Sequence, residues 1–322
     1  MTGRRVADLL VGSLIFTALL LPRSAVHAQA ACDRACLTTL LNQYLSAMVT
    51  HDPAAAPLFT GFRQTENAVV VRPGAGLWKS ATALGKVQRR YFDPVTGQAA
   101  YFGIIEEGPT TAVATLRLRV EDRRITEAEW IVARQGEWGP GGPNTNVFNS
   151  ESLIANPPQE RTVPRESRAS RALLLAIANS YFDGLSTHDG NIIMHHPGCV
   201  RIENGTVMTG RARGGAPPGD CSSGLENINI SLVTGRRYPI VDEDAQAVLA
   251  LATFMRKPGT ATRRNMFSEW FFIDSNRIRT IYAAMFYPPP DQPVPNWPPY
   301  DGNWPLPAEL AAPAAPPAPR VP

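Results

Sequence analysis

His195 and His196 lead directly into Pro197-Gly198-Cys199. Histidine is the side chain whose unperturbed pKa lies nearest neutrality, so a loop that pins one in place is a candidate general acid or base. His196 is taken as that group. Glu203 could serve as its carboxylate partner, Tyr181 as a hydroxyl donor, and Arg237 as the cation that stabilises a developing anion. Plainer readings stand beside these. The two histidines could form a surface turn, Arg237 could be half of a surface Arg pair with Arg236, and Glu203 could be an exposed strand end before the Asn204-Gly205 turn. Glu269 is a further carboxylate of interest. It neighbours Trp270, and on strand geometry the two point to opposite faces, so Glu269 faces a pocket only if Trp270 packs outside it. His51-Asp52 and His188-Asp189 could each be a histidine oriented by a carboxylate. The weightier reading is a helix stop, with the Asp capping the next turn. Adjacent histidines are a weak metal signal, and no spacing demands a third ligand. The chain has no P-loop, dinucleotide fingerprint, Gly-x-Ser-x-Gly elbow or His-Glu-x-x-His. Neither a cofactor nor a metal is expected.

These residues sit in a repeated frame. Tyr44, His51-Asp52 and Glu66-Asn67 are matched by Tyr181, His188-Asp189 and Glu203-Asn204. Tyr to His is seven residues in both, and His to Glu is fifteen. Glu121-Asp122-Arg123-Arg124-Ile125 is matched by Asp274-Ser275-Asn276-Arg277-Ile278. The interval far exceeds the roughly 20–50 residues of a solenoid unit, so the chain is read as a duplicated domain.

Each copy opens on a helix. Leu37, Leu40, Leu41, Tyr44, Leu45 and Met48 recur at three- and four-residue spacing, as do Leu173, Leu174, Ile177, Tyr181, Phe182 and Leu185. A short strand follows near 64–71 or 200–209, and 77–90 is expected to form a further helix. Alternating runs predict strands over 99–106, 112–120 and 125–134, then 247–256, 265–273 and 277–286. A helix followed by a strand meander is segregated α+β. Each unit is expected to be a cone-shaped roll, a curved antiparallel sheet around a long helix.

Arg4 and Arg5, the apolar run 9–21 and Ala28-Gln29-Ala30 read as a secretory signal peptide over residues 1–30. No other run is apolar enough to span a membrane. The remaining chain holds 28 basic against 27 acidic residues, a balance that disfavours sequence-independent nucleic-acid binding. Export to the periplasm or medium makes disulfides permissible. Cys199–Cys221 is the favoured pair, and pairing of Cys32 with Cys36 stays open, with lipid attachment at Cys32 as a rival. The expected boundaries are 31–135 and 170–290 for the two domains, with a Gly/Pro-rich linker at 136–169 and a Pro-rich tail at 291–322. Trp297, Tyr300 and Trp304 suggest that 291–306 wraps back over the body.

The element order resembles the SnoaL-like branch of the nuclear transport factor 2-like superfamily, also described as cystatin-like. Specific wording is similar to an uncharacterised tandem SnoaL-like family of secreted bacterial and fungal proteins. It comprises Cys32-Asp33-Arg34, His196-Pro197-Gly198-Cys199 with Arg201, Glu203-Asn204-Gly205, Arg236-Arg237-Tyr238, Val241-Asp242-Glu243, Glu269-Trp270-Phe271 and Arg277-Ile278-Arg279. The resemblance implies fold and export but no assigned catalytic residues. His196 fits that family's pattern and His195 does not. The superfamily offers isomerases, dehydratases, cyclases and epoxide hydrolases, or non-catalytic binding modules. The leading expectation is cofactor-independent acid/base chemistry on a small, fairly apolar molecule held in the second copy. Alternatives are a non-enzymatic ligand-binding protein and a structural or dimerisation module, with a homodimer as a possible assembly.

Overall fold

The structure is a computed structural model and describes residues 32–210, 219–258 and 265–289. The expected signal peptide, the Pro-rich tail and its aromatic wrap lie outside the described residues. The first copy runs α1 (Arg34–Val49), β1 (Leu58–Glu66), β2 (Val69–Val70), α2 (Leu77–Ser80), β3 (Ala83–Asp93), β4 (Gln98–Glu107), β5 (Thr110–Glu121) and β6 (Arg124–Arg134). After α3 (Ser150–Ala155), the second runs α4 (Arg171–Thr187), β7 (His195–Glu203), β8 (Thr206–Val207), β9 (Leu232–Asp242), β10 (Ala247–Met255), β11 (Asn265–Asp274) and β12 (Arg277–Phe286).

Local chemistry sets the repeated boundaries. Asp33 and Ser170 cap the two long helices, accepting from the amides of Cys36 and Leu173. Both helices end on a histidine in the left-handed region, His51 at φ 58° and His188 at φ 60°. The ring N–H of each is spent on a carbonyl 2.6 Å away, that of Trp78 or Ile230. Asp52 and Asp189 accept from the amides of Ala54 and Asn191. Both His-Asp pairs are therefore helix stops. The β1–β2 and β7–β8 hairpins turn on Asn67-Ala68 and Asn204-Gly205, all four at positive φ, the backbone twist a two-residue hairpin needs. Asn67 and Asn204 are buried and exchange two hydrogen bonds with the backbone of Val132 and Met285.

The strand orders are β2-β1-β6-β5-β4-β3 and β8-β7-β12-β11-β10-β9. The fold is thus a tandem pair of α+β rolls. One joint departs from the all-antiparallel expectation: β1 runs parallel to β6, and β7 to β12. The helix expected over 77–90 is a second departure. Only Leu77–Ser80 is helical, and β3 takes the rest, with a register shift between Leu84 and Gln88. That irregularity breaks the alternation from which a strand is read.

Each inner face packs on its own helix, and the outer faces pack on each other. Tyr91, Phe102, Ile131, Trp270, Phe272 and Tyr282 belong to this shared layer. Its contacts are reciprocal, as in a two-fold interface. Arg34 grips Asp242, which also accepts from the Phe92 amide; Arg171 grips Asp93, which also accepts from the Val241 amide. The segment between the copies adds to this layer through Leu153 of α3.

Candidate acid/base site in the second roll

β11 alternates. Phe267, Glu269 and Phe271 face the helix, whereas Met266, Ser268, Trp270 and Phe272 face the first copy. Trp270 packs outside the cone, and that leaves Glu269 inside it. The carboxyl is fully buried, and neither oxygen has a hydrogen-bond partner among the described residues. Its cross-strand neighbours are Ala250 on β10 and Ala283 on β12.

The first copy supplies a control. By register, Glu269 corresponds to Leu116, Ala250 to Tyr101 and Ala283 to Trp130. Leu116 thus lies between two bulky rings, all three fully buried. Tyr44 Oη accepts from the indole N–H groups of Trp130 and Trp78 at 3.2 and 3.3 Å and lies 2.7 Å from Gln64 Oε1. Trp78 also reaches Gln64 Oε1 at 2.8 Å. Only Gln64 Nε2 is left unpaired in this group. The first cone is filled by its own side chains.

In the second cone Arg201 stands where the first has Gln64, twenty residues after the helix tyrosine in both copies. Arg201 Nη1 donates to Tyr181 Oη at 2.9 Å. Its Nε lies 2.9 Å from Glu203 Oε1, an ion-pair contact whose angle does not make a hydrogen bond. The Arg201 and Glu203 side chains keep 18% and 14% of their surface, so the pair opens on one side while Glu269 is sealed. Aromatic rings line the rest. Phe182 meets Phe267 and Phe271 at 5.8 and 5.5 Å between centroids, and Tyr181 meets Phe271 at 5.6 Å.

Electrostatics follow from this packing. Burial pushes the Glu269 carboxyl up to about 8; Arg201 opposes that shift and Glu203 adds to it. Burial also raises the Tyr181 phenol, against the pull of Arg201. Burial works against the Arg201 charge, but Tyr181, Glu203 and Glu269 more than offset it and hold the guanidinium above its ordinary range. Near neutrality the cluster therefore combines a protonated Glu269 carboxyl, the Arg201 guanidinium and a Tyr181 phenol whose own proton has no acceptor among the described residues, with Glu203 beside the guanidinium. A buried acid of this kind can pass a proton to a ligand and take one back.

Of the residues singled out from sequence, Tyr181 and Glu203 meet here through Arg201. His196 and Arg237 do not join them. His196 Nε2 donates to the carbonyl of Asp274, at the β11–β12 turn, 2.8 Å away. Arg237 crosses to the first copy, where its guanidinium meets both oxygens of Glu129 at 2.6 and 3.2 Å. The reason is the two-residue strand period. Arg236 and Tyr238 face α4 and bond Asn179, and Arg237 between them must point the other way. Sequence reasoning missed Arg201 as a site residue and left Glu269 conditional on where Trp270 packs. Arg201 was signalled by its repeat position against Gln64, and Glu269 as the one ionisable residue in the run Met266–Phe272. The Glu66 counterpart of Glu203 has a structural task, accepting from the Leu77 amide and from Arg134.

Both disulfides form, Cys32–Cys36 and Cys199–Cys221. They fit an oxidising compartment, and the sulfur of Cys32 is not free for a lipid thioether. No helix among the described residues is long and apolar enough to cross a membrane. No three His, Cys, Asp or Glu among them converge as metal ligands.

Residues 167–285 match the model of a domain family described as a domain of unknown function, DUF8021. No curated protein matches the chain. Solved structures similar over part of it include two. One is AusH from Aspergillus nidulans, at 12% identity over 36% of this chain and 86% of that one, with a TM-score of 0.27. The other is a protein of unknown function with a cystatin-like fold from Methylobium petroleophilum PM1, at 14% identity over 42% of this chain and 98% of that one, with a TM-score of 0.29. Neither overlap is close enough to bear on function.

Proposed function

We propose that the second roll binds a small, fairly apolar organic molecule and exchanges a proton with it through Glu269, as a cofactor-independent isomerase, dehydratase or other lyase would. The observation that carries this reading is a sealed, unpartnered carboxyl raised to about 8, flanked by two alanines where the first copy has Tyr101 and Trp130. An orphaned buried carboxyl is costly to the fold, and nothing in its surroundings repays that cost structurally. Glu269 takes the role expected of His196, and Arg201 the role expected of Arg237. Tyr181 remains the hydroxyl donor, with its oxygen held by Arg201 and its proton free for a ligand. Glu203 holds the guanidinium rather than a histidine. The SnoaL-like resemblance and an exported mature chain starting near Ala31 are part of this reading. The first roll serves the second as a partner rather than as a second site.

The test begins with small molecules that co-purify with the protein, identified by mass spectrometry. Each is then presented to the wild type and to Glu269→Gln. Acid/base catalysis predicts a loss of turnover of about a hundredfold or more with binding retained. The second reading, a binding module, rests on the hydrogen bond from Arg201 to Tyr181, which fixes one polar wall of the cone. It predicts ligand retention with no chemical change in either protein. A Glu269→Gln variant that turns the ligand over at the wild-type rate would remove the catalytic assignment.

A further inference from the structure

Glu269 is held by strand β11, and the residues on either side of it are pinned from outside the roll. Ser268 Oγ lies 2.7 Å from Thr115 Oγ1, and the Trp270 indole N–H donates to the same oxygen at 3.2 Å. Thr115 belongs to β5 of the first copy, and all three side chains are buried. We propose that Thr115 is a positioning residue for Glu269, so that the first copy fixes the second copy's acid/base group across the interface. This rests on the reading of Glu269 as the site's proton-carrying group.

Departure from the interface symmetry supports it. By register Thr115 and Ser268 are equivalent positions, so their contact lies on the pseudo-two-fold axis. A symmetric arrangement would send residue 117 to Ser268 as residue 270 goes to Thr115. Residue 117 is instead an arginine, turned to Glu127, Glu129 and Gln98. The indole anchor exists in one direction only, toward the copy that carries the buried carboxyl. The anchor decides the facing of Glu269, because a strand residue whose two neighbours are fixed outward must point inward. The titratable and charged groups around Glu269 are Arg201 and Glu203 from β7, Tyr181 from α4 and Tyr238 from β9. Its partners on β10 and β12 are Ala250 and Ala283, which do not titrate. None of these groups touches Thr115, so a change at Thr115 reaches the carboxyl only through β11.

The experiment needs no ligand. The carboxyl band of Glu269 is followed by infrared spectroscopy as pH is varied in the full protein, and is assigned as the band lost in Glu269→Gln. Thr115→Val removes the shared acceptor at nearly constant shape. The slackened strand then gives the carboxyl a polar environment, and its midpoint falls toward the ordinary range by about one pH unit or more. Thr115→Ser keeps the oxygen and keeps the midpoint. A role in stability alone would lower the unfolding temperature of Thr115→Val and leave the midpoint in place, which overturns the proposal. A shift in Thr115→Ser as large as in Thr115→Val overturns it too. Should Thr115→Val fail to fold, Trp270→Phe, which keeps a ring and loses the N–H, carries the same test with the same expected direction. A band that persists in Glu269→Gln would overturn the reading of Glu269 and this inference together. A band that disappears there but does not move in Thr115→Val overturns the positioning role alone.

Discussion

Glu269 links the site to stability. Its folded value of about 8 lies above the ordinary 4.5. Below about pH 4.5 the folded and unfolded chains both hold the proton. Between that pH and 8 only the folded chain holds it, so stability falls as pH rises, by at most about 1.4 kcal/mol per unit. Above 8 the slope from this group disappears. Denaturant titrations across pH 5–8 should show the decline in the wild type and its absence in Glu269→Gln, which should be the more stable protein at pH 8. Equal slopes in both would mean that the carboxyl ionises freely in the folded state. At this scale the sequence spoke unevenly. Glu269 was visible as a carboxylate in an apolar run, but its facing depended on where Trp270 went. His196 and Arg237 looked more reactive and are occupied elsewhere, because carbonyls and carboxylates from distant strands took their donors.

Elements were more legible than sites. The apolar face of each long helix, its histidine stop and the Asn-Gly hairpin are set by residues within a few positions of one another. β3 was not, since its register shift depends on β4. Two outcomes are expected at this scale. The Cys199–Cys221 bridge joins the middle of β7 to the stretch before β9, closing a loop of 22 residues. By the chain-entropy argument, replacing both cysteines with serine should lower unfolding free energy by about 3 kcal/mol, read by denaturant melts. A loss near zero would mean that the bridge contributes little to stability. At the α4 stop, His188→Ala loses the ring's bond to the Ile230 carbonyl and still places a side chain at φ 60°. It should cost about 1–2 kcal/mol, and His188→Asn, which tolerates the left-handed region, should cost less. The reverse order in thermal melts would show that the cap geometry is unimportant.

At the scale of the whole molecule, the two copies behave as a fused two-fold dimer. Asp93 and Asp242 are buried carboxylates, each clamped by an arginine at the start of the other copy's helix and by a backbone amide. Removing one leaves a buried amide unpaired, so Asp242→Ala should cost about 3 kcal/mol in denaturant unfolding. A loss below about 1 kcal/mol would show that this latch contributes little. Expressed alone, residues 167–289 would bare Trp270, Phe272, Tyr282 and Leu249. That fragment should self-associate in sedimentation experiments, and a well-behaved monomer would contradict the fused-dimer description. By itself the sequence determined the duplication, the long helix and the last three strands of each copy, the helix stops and the α+β class, because spacing and periodicity are local properties. Only the tertiary structure decided which copy is filled and which holds a buried acid. Glu269 is surrounded by Ala250, Ala283, Arg201 and Tyr181, and is aimed by Thr115. Those partners come from five separate elements, and their meeting is a consequence of register and packing that no single stretch of chain contains.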